Sequence, residues 1–253
     1  MGPSEDISDW IKQQVGAAGA KGVVVGLSGG VDSSVVGALA KKALGGNVLG
    51  LILPCYSKEE DENHANLVAR KLNINTKKII LDSIYDNFTE VLPMGNRMAL
   101  ANLKARLRMN VLYYFANSLN YLVVGTGNKS EIMAGYSTKY GDAGADILPL
   151  GGLLKTEVKE LARELDIPDE ILNKAPSAGL WENQTDEDEL GISYEDLDKA
   201  LTALERGENI QLQQELVDKV KELIKKSEHK RILPPIFKPI KKWFGPHKIW
   251  KEV

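Results

Sequence analysis

Four short apolar runs rich in β-branched residues, separated by longer amphipathic stretches, constrain this chain more than any other feature. They are GVVVGLS at 22–28, NVLGLILP at 47–54, KKIILD at 77–82 and NYLVVGTG at 120–127. Runs of this length that are apolar on both alternating faces read as strands covered on both sides. Between them, residues 33–43, 59–72 and 96–119 carry apolar side chains at helical spacing. Strand alternating with helix predicts an α/β fold with a doubly wound parallel sheet. In such a sheet, ligands bind beyond the carboxyl ends of the strands. The segments to inspect are therefore SGGVDSS, CYSKEED, DSIYD and GTGNKSE, each of which follows a strand.

After residue 150 the pattern turns to helices and loops. An amphipathic helix is expected over 153–166, a long turn-rich passage over 167–191, and a last helix over 211–228, followed by a basic tail at 229–253. A single domain, 1–253, is expected, with a sheet core at 22–150 and a helical segment at 151–253 that completes the site. Segment 167–191 and the tail are candidates for moving parts, since long loops are often functional. A formal net charge of -3 gives no general attraction to a polyanion, so no nucleic-acid partner is expected. The first residues are polar and acidic, and no apolar run approaches the ~20 residues of a membrane span. A cytoplasmic protein without a membrane partner is the expectation. Cys55, the single cysteine, excludes an internal disulfide or a multi-thiolate zinc site and reads as a small residue packed at a strand end.

The loop after the first strand is built to meet an anion. Gly26, Gly29 and Gly30 let the backbone turn tightly, and a helix expected to start near Ser33 aims its positive end at the same point. Yet the loop has no phosphate-binding lysine; Asp32 stands there instead. A carboxylate beside phosphates is repulsive unless a divalent ion lies between them, and Mg²⁺ suits one or two carboxylates plus phosphate oxygens. The competing reading makes Asp32 or Ser33 a plain helix cap.

SGGVDS resembles the pyrophosphate-binding loop of the N-type ATP pyrophosphatases, whose sheet has the adenine nucleotide alpha hydrolase-like form. Residues 125–155, GTGNKSEIMAGYSTKYGDAGADILPLGGLLK, narrow the resemblance to the ammonia-dependent NAD synthetases. LANLKARLRMNVLYYFAN, KAPSAGLWENQTDEDELGISYEDLD and EHKR extend it over roughly 26–231. Several separated motifs in the right order carry more weight than one.

The resemblance implies a ligase that adenylates deamido-NAD with Mg²⁺ and ATP and then admits ammonia, giving NAD, AMP and pyrophosphate. It implies Asp32 and Glu131 as metal ligands and Lys155 as the catalytic cation. Gly26, Leu27, Ser28, Gly29, Gly30, Val31, Asp32 and Ser33 would surround the ATP phosphates, with Thr126, Lys155 and Ser177 as further ATP contacts. Arg106, Lys139, Asp146, His229 and Lys230 would hold deamido-NAD, a dinucleotide whose anionic groups suit cations. Only the resemblance selects Arg106 over Arg108 on the same helix. It also implies a homodimer with deamido-NAD at the subunit interface; the stretch 98–119 carries more large apolar residues than one buried face needs, which suits either an interface helix or a core helix. Ser177 stands where the family often has threonine, and PLGGLLK lacks hydroxyls that some relatives carry before the lysine. No glutaminase domain is recognisable, so free ammonia is the expected nitrogen source. Two rivals remain at this level: a tRNA thiolase, which usually brings more cysteines, and a non-catalytic ATP sensor.

Overall fold

The computed structural model describes residues 2–181, 184–207 and 213–237. Its elements run α1 (Pro3–Ala17), β1 (Gly22–Gly26), α2 (Val31–Leu44), β2 (Val48–Ile52), α3 (Glu59–Lys71), β3 (Asn75–Lys78), α4 (Asp82–Val91), α5 (Arg97–Leu119), β4 (Tyr121–Val124), α6 (Lys129–Ala134), α7 (Lys155–Glu164), α8 (Asp169–Leu172), α9 (Asp186–Leu190), α10 (Tyr194–Arg206) and α11 (Gln214–Arg231). The expected parallel sheet is present, in the order β3-β2-β1-β4.

Successive residues of β1 serve opposite faces, as the two-residue period of a strand requires. Val23 and Val25 join Ile11, Val35, Leu39, Val158 and Leu161 in the core under α1, α2 and α7. Val24 joins Leu51, Leu107, Ala116 and Val123 in the core under α5. A third core, around Leu190, Leu197, Leu201 and Val220, ties α9, α10 and α11 to Ala134 of α6. Each large aliphatic side chain so buried contributes roughly 1.5–3 kcal/mol. The site is thus carried on a rigid support, with most of its side chains at helix starts.

The strand order fixes where that site lies. From β1 the chain steps outward to β2 and β3, then returns to the other side of β1 as β4. The order reverses between β1 and β4, so the loops leaving their carboxyl ends diverge and open a crevice. Those two loops contain SGGVDSS and GTGNKSE.

Three expectations need correction. The third strand lies at Asn75–Lys78 rather than 77–82. It begins opposite Leu49 and ends opposite Ile52, and past that point Pro54 has no N–H to extend the ladder. Isolated bonds nonetheless continue, from Ile79 N–H to the Ile52 carbonyl and from Leu81 N–H to that of Pro54. Segment 167–191 contains the short helices α8 and α9. It is also fastened to α3 by the Lys174–Asp61 ion pair at 2.6 Å. Finally, α1, α4 and α10 are helices that the sequence reading did not assign. The last helix runs Gln214–Arg231 within the described residues, and the basic tail beyond residue 237 lies outside them. Cys55 is buried at the end of β2, as expected, and burial pushes its thiol pKa up.

Candidate active site

The loop after β1 is held open by its own side chains. Ser33 Oγ accepts from Ser28 N–H at 3.2 Å and donates to the Gly30 carbonyl at 3.0 Å. Gly29 has φ +80°, and a Cβ there would lie 2.2 Å from the Asp61 carbonyl oxygen. A side chain is excluded both by conformation and by the close pass of α3. The helix begins at Val31 with Gly30 as its N-cap and no side-chain cap. Asp32 therefore does not cap the helix. Its carboxylate reaches across the crevice instead.

It meets two side chains from the loop and helix beyond β4 and one from α7. Asn128 Nδ2 donates to Asp32 Oδ1 at 2.9 Å. Lys155 Nζ donates to Asp32 Oδ2 at 2.5 Å and to Glu131 Oε1 at 2.9 Å. Asn128 also caps α6: Asn128 Oδ1 accepts from Glu131 N–H at 3.0 Å, while Glu131 Oε2 accepts from Asn128 N–H at 3.3 Å. This capping box fixes the Glu131 carboxylate, and the same asparagine fixes Asp32. The two acids expected to meet do so, with an ammonium between them.

Lys155 is only 2% exposed, which rules out a solvent-facing lysine at a helix start. It opens α7, where the helix dipole opposes a cation. Burial works against its charge, but Asp32 and Glu131 outweigh burial and raise its pKa above the ordinary lysine value. Glu131 is pushed up to about 7, by burial first and by Asp32 second, against the pull of Lys155. The Tyr194 ring lies 5.0 Å from Lys155 Nζ. The α7 start is itself anchored by Asp198 of α10, whose Oδ2 accepts from Thr156 N–H at 2.9 Å and Thr156 Oγ1 at 2.8 Å. Ser130 donates to Asp198 Oδ1 and accepts from Lys155 N–H. One carboxylate thus ties the helix bearing Glu131 to the helix bearing Lys155.

This cluster lies on the wall of a cavity of about 980 Å³. Gly26, Leu27, Ser28, Gly30, Val31, Asp32, Ser33, Thr126, Glu131, Lys155, Ser177 and Lys230 line it, whereas Gly29, Arg106, Lys139, Asp146 and His229 do not. Lys230 donates to the carbonyls of Gly135 (2.7 Å) and Ser137 (2.6 Å). Arg106 donates to the Lys139 carbonyl at 3.3 Å, and Lys139 to the His229 carbonyl, so these three form one chain outside the cavity. Asp146 stands apart, accepting from Val123 N–H at 2.7 Å and from the Tyr113 hydroxyl at 3.0 Å. Arg108, not Arg106, faces the cavity, donating to the Leu53 carbonyl at 3.0 Å and to Ser57 Oγ at 3.1 Å.

Sequence reasoning missed Asn128, Asp142, Asp186, Tyr194 and Asp198. The first left a signal, the N-x-x-E spacing of NKSE. Asp142 lies in the quoted YGDAGAD stretch; it borders the cavity, and burial raises its pKa. The other three come from a segment whose approach to the sheet edge has no local signature.

The donor set suits a hard divalent ion. Two carboxylates with oxygens within 2.9 Å of one nitrogen can converge on one cation, and Mg²⁺ needs no more than that from protein when phosphates and water complete its shell. Among the described residues no group of three or more acids, histidines or cysteines forms a self-sufficient metal cage. No described helix is long and apolar enough to cross a membrane.

Comparison with known proteins finds relatives over most of the chain. The family model described as NAD synthase matches residues 4–234. The NH(3)-dependent NAD(+) synthetase of Carboxydothermus hydrogenoformans is 48% identical over 238 residues, 92% of this chain and 96% of the relative. That of Methanocaldococcus jannaschii is 50% identical over 247 residues, 90% of this chain and 93% of the relative. Among solved structures, the NMN synthetase of Francisella tularensis has a TM-score of 0.86 at 38% identity, covering 93% of this chain and 98% of that one. The NH3-dependent NAD synthetase of Campylobacter jejuni in complex with nitrate has a TM-score of 0.83 at 33% identity, with the same coverage.

Proposed function

This chain belongs to the NAD synthase family, and on that footing we propose that it amidates deamido-NAD to NAD with ATP and ammonia. A carboxylate resists ammonia because its oxygen leaves poorly. Adenylation removes the obstacle: the nicotinate carboxylate attacks the α-phosphorus, pyrophosphate departs, and ammonia displaces AMP from the acyl adenylate. The observation that carries the reading is the meeting of Asp32, Glu131 and Lys155 at the crevice between β1 and β4.

Asp32 and Glu131 would hold Mg²⁺, which when bound offsets the charge of the triphosphate and orients it. Lys155 would supply a positive charge where negative charge gathers on the departing pyrophosphate. Asp198 and Ser130 pin the backbone at the start of α7, while the Lys155 ammonium would move from between the two carboxylates to the phosphates when the ion binds. The 26–33 loop receives the phosphates, and Thr126 and Ser177 offer hydroxyls from the neighbouring loops. Lys230, at the cavity wall, would supply a cation for the anionic groups of deamido-NAD; Arg106, Lys139, His229 and Asp146 lie outside the cavity of the single chain, and their part in holding the dinucleotide rests on the subunit interface that the family resemblance implies. The assignments for both substrates rest on the family resemblance and on the side chains' chemistry.

Incubating the protein with Mg-ATP, ammonium and deamido-NAD should yield NAD, AMP and pyrophosphate. Formation of ADP, or no NAD, would overturn the proposal. Because an NMN synthetase is among the similar structures, nicotinate mononucleotide belongs in the same assay. A preference for it would move the acceptor while leaving the chemistry intact.

A homodimer also belongs to this reading. Ile84, Phe88 and Val91 on α4 and Tyr114 and Leu119 on α5 are exposed large side chains, a kind of surface that a partner subunit can cover. Sedimentation at micromolar concentration should give twice the chain mass; a monomer would contradict it.

A further inference from the structure

We propose that Arg231 is a positioning residue, which fixes Glu131 for its metal ion by capping the far end of α6. The inference rests on the proposed function for Glu131 as a metal ligand and goes beyond it in saying what keeps that ligand in place. Of the EHKR motif, the resemblance assigns His229 and Lys230 to deamido-NAD and leaves Arg231 without a role. In the fold Arg231 ends α11, and its guanidinium reaches the last turn of α6.

A helix of six residues such as α6 does not hold its shape alone, because nucleating a turn costs more than so few bonds return. Its start is secured by the Asn128 cap and by Asp198. Its end leaves carbonyls in want of donors. The Glu131 carbonyl accepts from Tyr136 N–H at 2.8 Å, and that of Ile132 from Gly135 N–H at 3.2 Å. Arg231 adds to these from α11: its Nη1 donates to the Ile132 carbonyl at 3.1 Å and to the Met133 carbonyl at 3.2 Å. The same Nη1 donates to Ser227 Oγ at 2.6 Å, and Nη2 donates to the Ile224 carbonyl at 2.5 Å. One planar cation thus joins two helices, at the negative end of α6 where the dipole favours it.

The two helices are seated closely at this point. Gly135 ends α6 with φ +73°, and a Cβ there would lie 2.0 Å from Ser227 Cβ. Lys230 grips the turn beyond α6 through the Gly135 and Ser137 carbonyls, whereas Arg231 grips the helix itself. Glu131 immediately precedes Ile132. The capping box fixes its carboxylate to Asn128, but the direction of α6 as a whole depends on the other end. A shift there carries the carboxylate away from Asp32, and Mg²⁺ tolerates little departure from octahedral contacts of about 2.0–2.1 Å.

The test uses the full chain. Manganese is titrated with a saturating non-hydrolysable ATP analogue, and free Mn²⁺ is read by electron paramagnetic resonance. Arg231→Met should raise the manganese Kd about tenfold or more, the usual cost of losing a group that orients a metal ligand. Arg231→Lys keeps the charge at the helix end but cannot span four acceptors, so its Kd should rise by about threefold or more, and less than that of the methionine variant. In turnover, the Mg²⁺ concentration for half-maximal rate should rise by the same factors, while saturating Mg²⁺ restores most of kcat. A merely structural role would lower kcat at every Mg²⁺ concentration and leave the manganese Kd of the folded chain unchanged; that result would overturn the proposal. Where Arg231→Met does not fold, the Arg231→Lys titration decides. Manganese that fails to bind the unaltered chain with the analogue, or that binds Glu131→Gln equally well, would instead remove Glu131 as a metal ligand from the proposed function.

Discussion

Lys155→Met should lower kcat/KM for ATP by on the order of 10²- to 10³-fold, the usual cost of losing one preorganised electrostatic partner of a developing charge. Methionine keeps an unbranched apolar stem as far as Cε and removes the ammonium, so the change chiefly removes the charge. The folded state also suffers, because two carboxylates are left facing each other in a buried place. Breaking a buried pair in this way typically costs about 3–5 kcal/mol. That penalty depends on pH in a defined direction. Glu131 already has its pKa raised, to about 7, and loss of the ammonium raises it further. A carboxyl with a raised folded pKa binds more protons folded than unfolded, so stability falls as pH rises through the window from its unfolded value to its folded one. In chelator, denaturant unfolding should show the variant's deficit growing from pH 5 to pH 8. Equal deficits at both ends would mean that the carboxylates do not depend on Lys155.

Asp32→Asn should abolish measurable turnover, a loss of at least about 10³-fold, and weaken Mg²⁺-dependent ATP binding tenfold or more, since the site loses a charged ligand for a hard cation. Its effect on folding should run opposite to that of Lys155→Met. Asp32 makes no cap, and its charge is one of the two causes that raise the pKa of Glu131. Removing it leaves Lys155 with one buried counter-charge, Glu131, and relieves a like-charge repulsion. The variant should therefore unfold within about 1 kcal/mol of the parent, as typical of substitutions that create no buried unpaired charge. Calorimetric titration with Mg-ATP and a urea melt separate the two effects. Retained turnover would mean that Asp32 has no part in the reaction.

The contrast between the two variants reflects how the site is assembled, and parts of it were legible in the sequence. The alternation of strand and helix gave the parallel sheet, because buried strands and amphipathic helices have different periods. Asp32 could be singled out because a carboxylate is out of place in a phosphate loop; Glu131, which by itself reads as an acid in the first turn of a helix, was selected only by the family resemblance. What the sequence could not show is that Lys155 lies between them, since residues 32, 131 and 155 meet only when α2, α6 and α7 converge on one edge. The same holds for Asp186, Tyr194 and Asp198, whose placement depends on the packing of α9 and α10 against α6 and α11. The third strand was misplaced because KKIILD has the stronger β-branched run, whereas pairing with β2 selects NTKK, polar residues of an edge strand. Helix α4 carried a readable helical spacing, Ile84, Phe88 and Val91 at i, i+4 and i+7, that the sequence reading passed over; in the fold this apolar side is exposed. Helix α1 did carry a readable spacing, with Ile7, Ile11 and Val15 on the face that packs on the core.

The central claim is that Asp32 and Glu131 take one divalent ion together with ATP. Crystals grown with Mn²⁺ and a non-hydrolysable ATP analogue test it directly, because manganese is located by its anomalous scattering. The account predicts one peak bonded to a carboxylate oxygen of each acid and to phosphate oxygen, with the Lys155 ammonium moved from between them. Nucleotide bound with Lys155 still bridging the two carboxylates, and manganese elsewhere or absent, would contradict it.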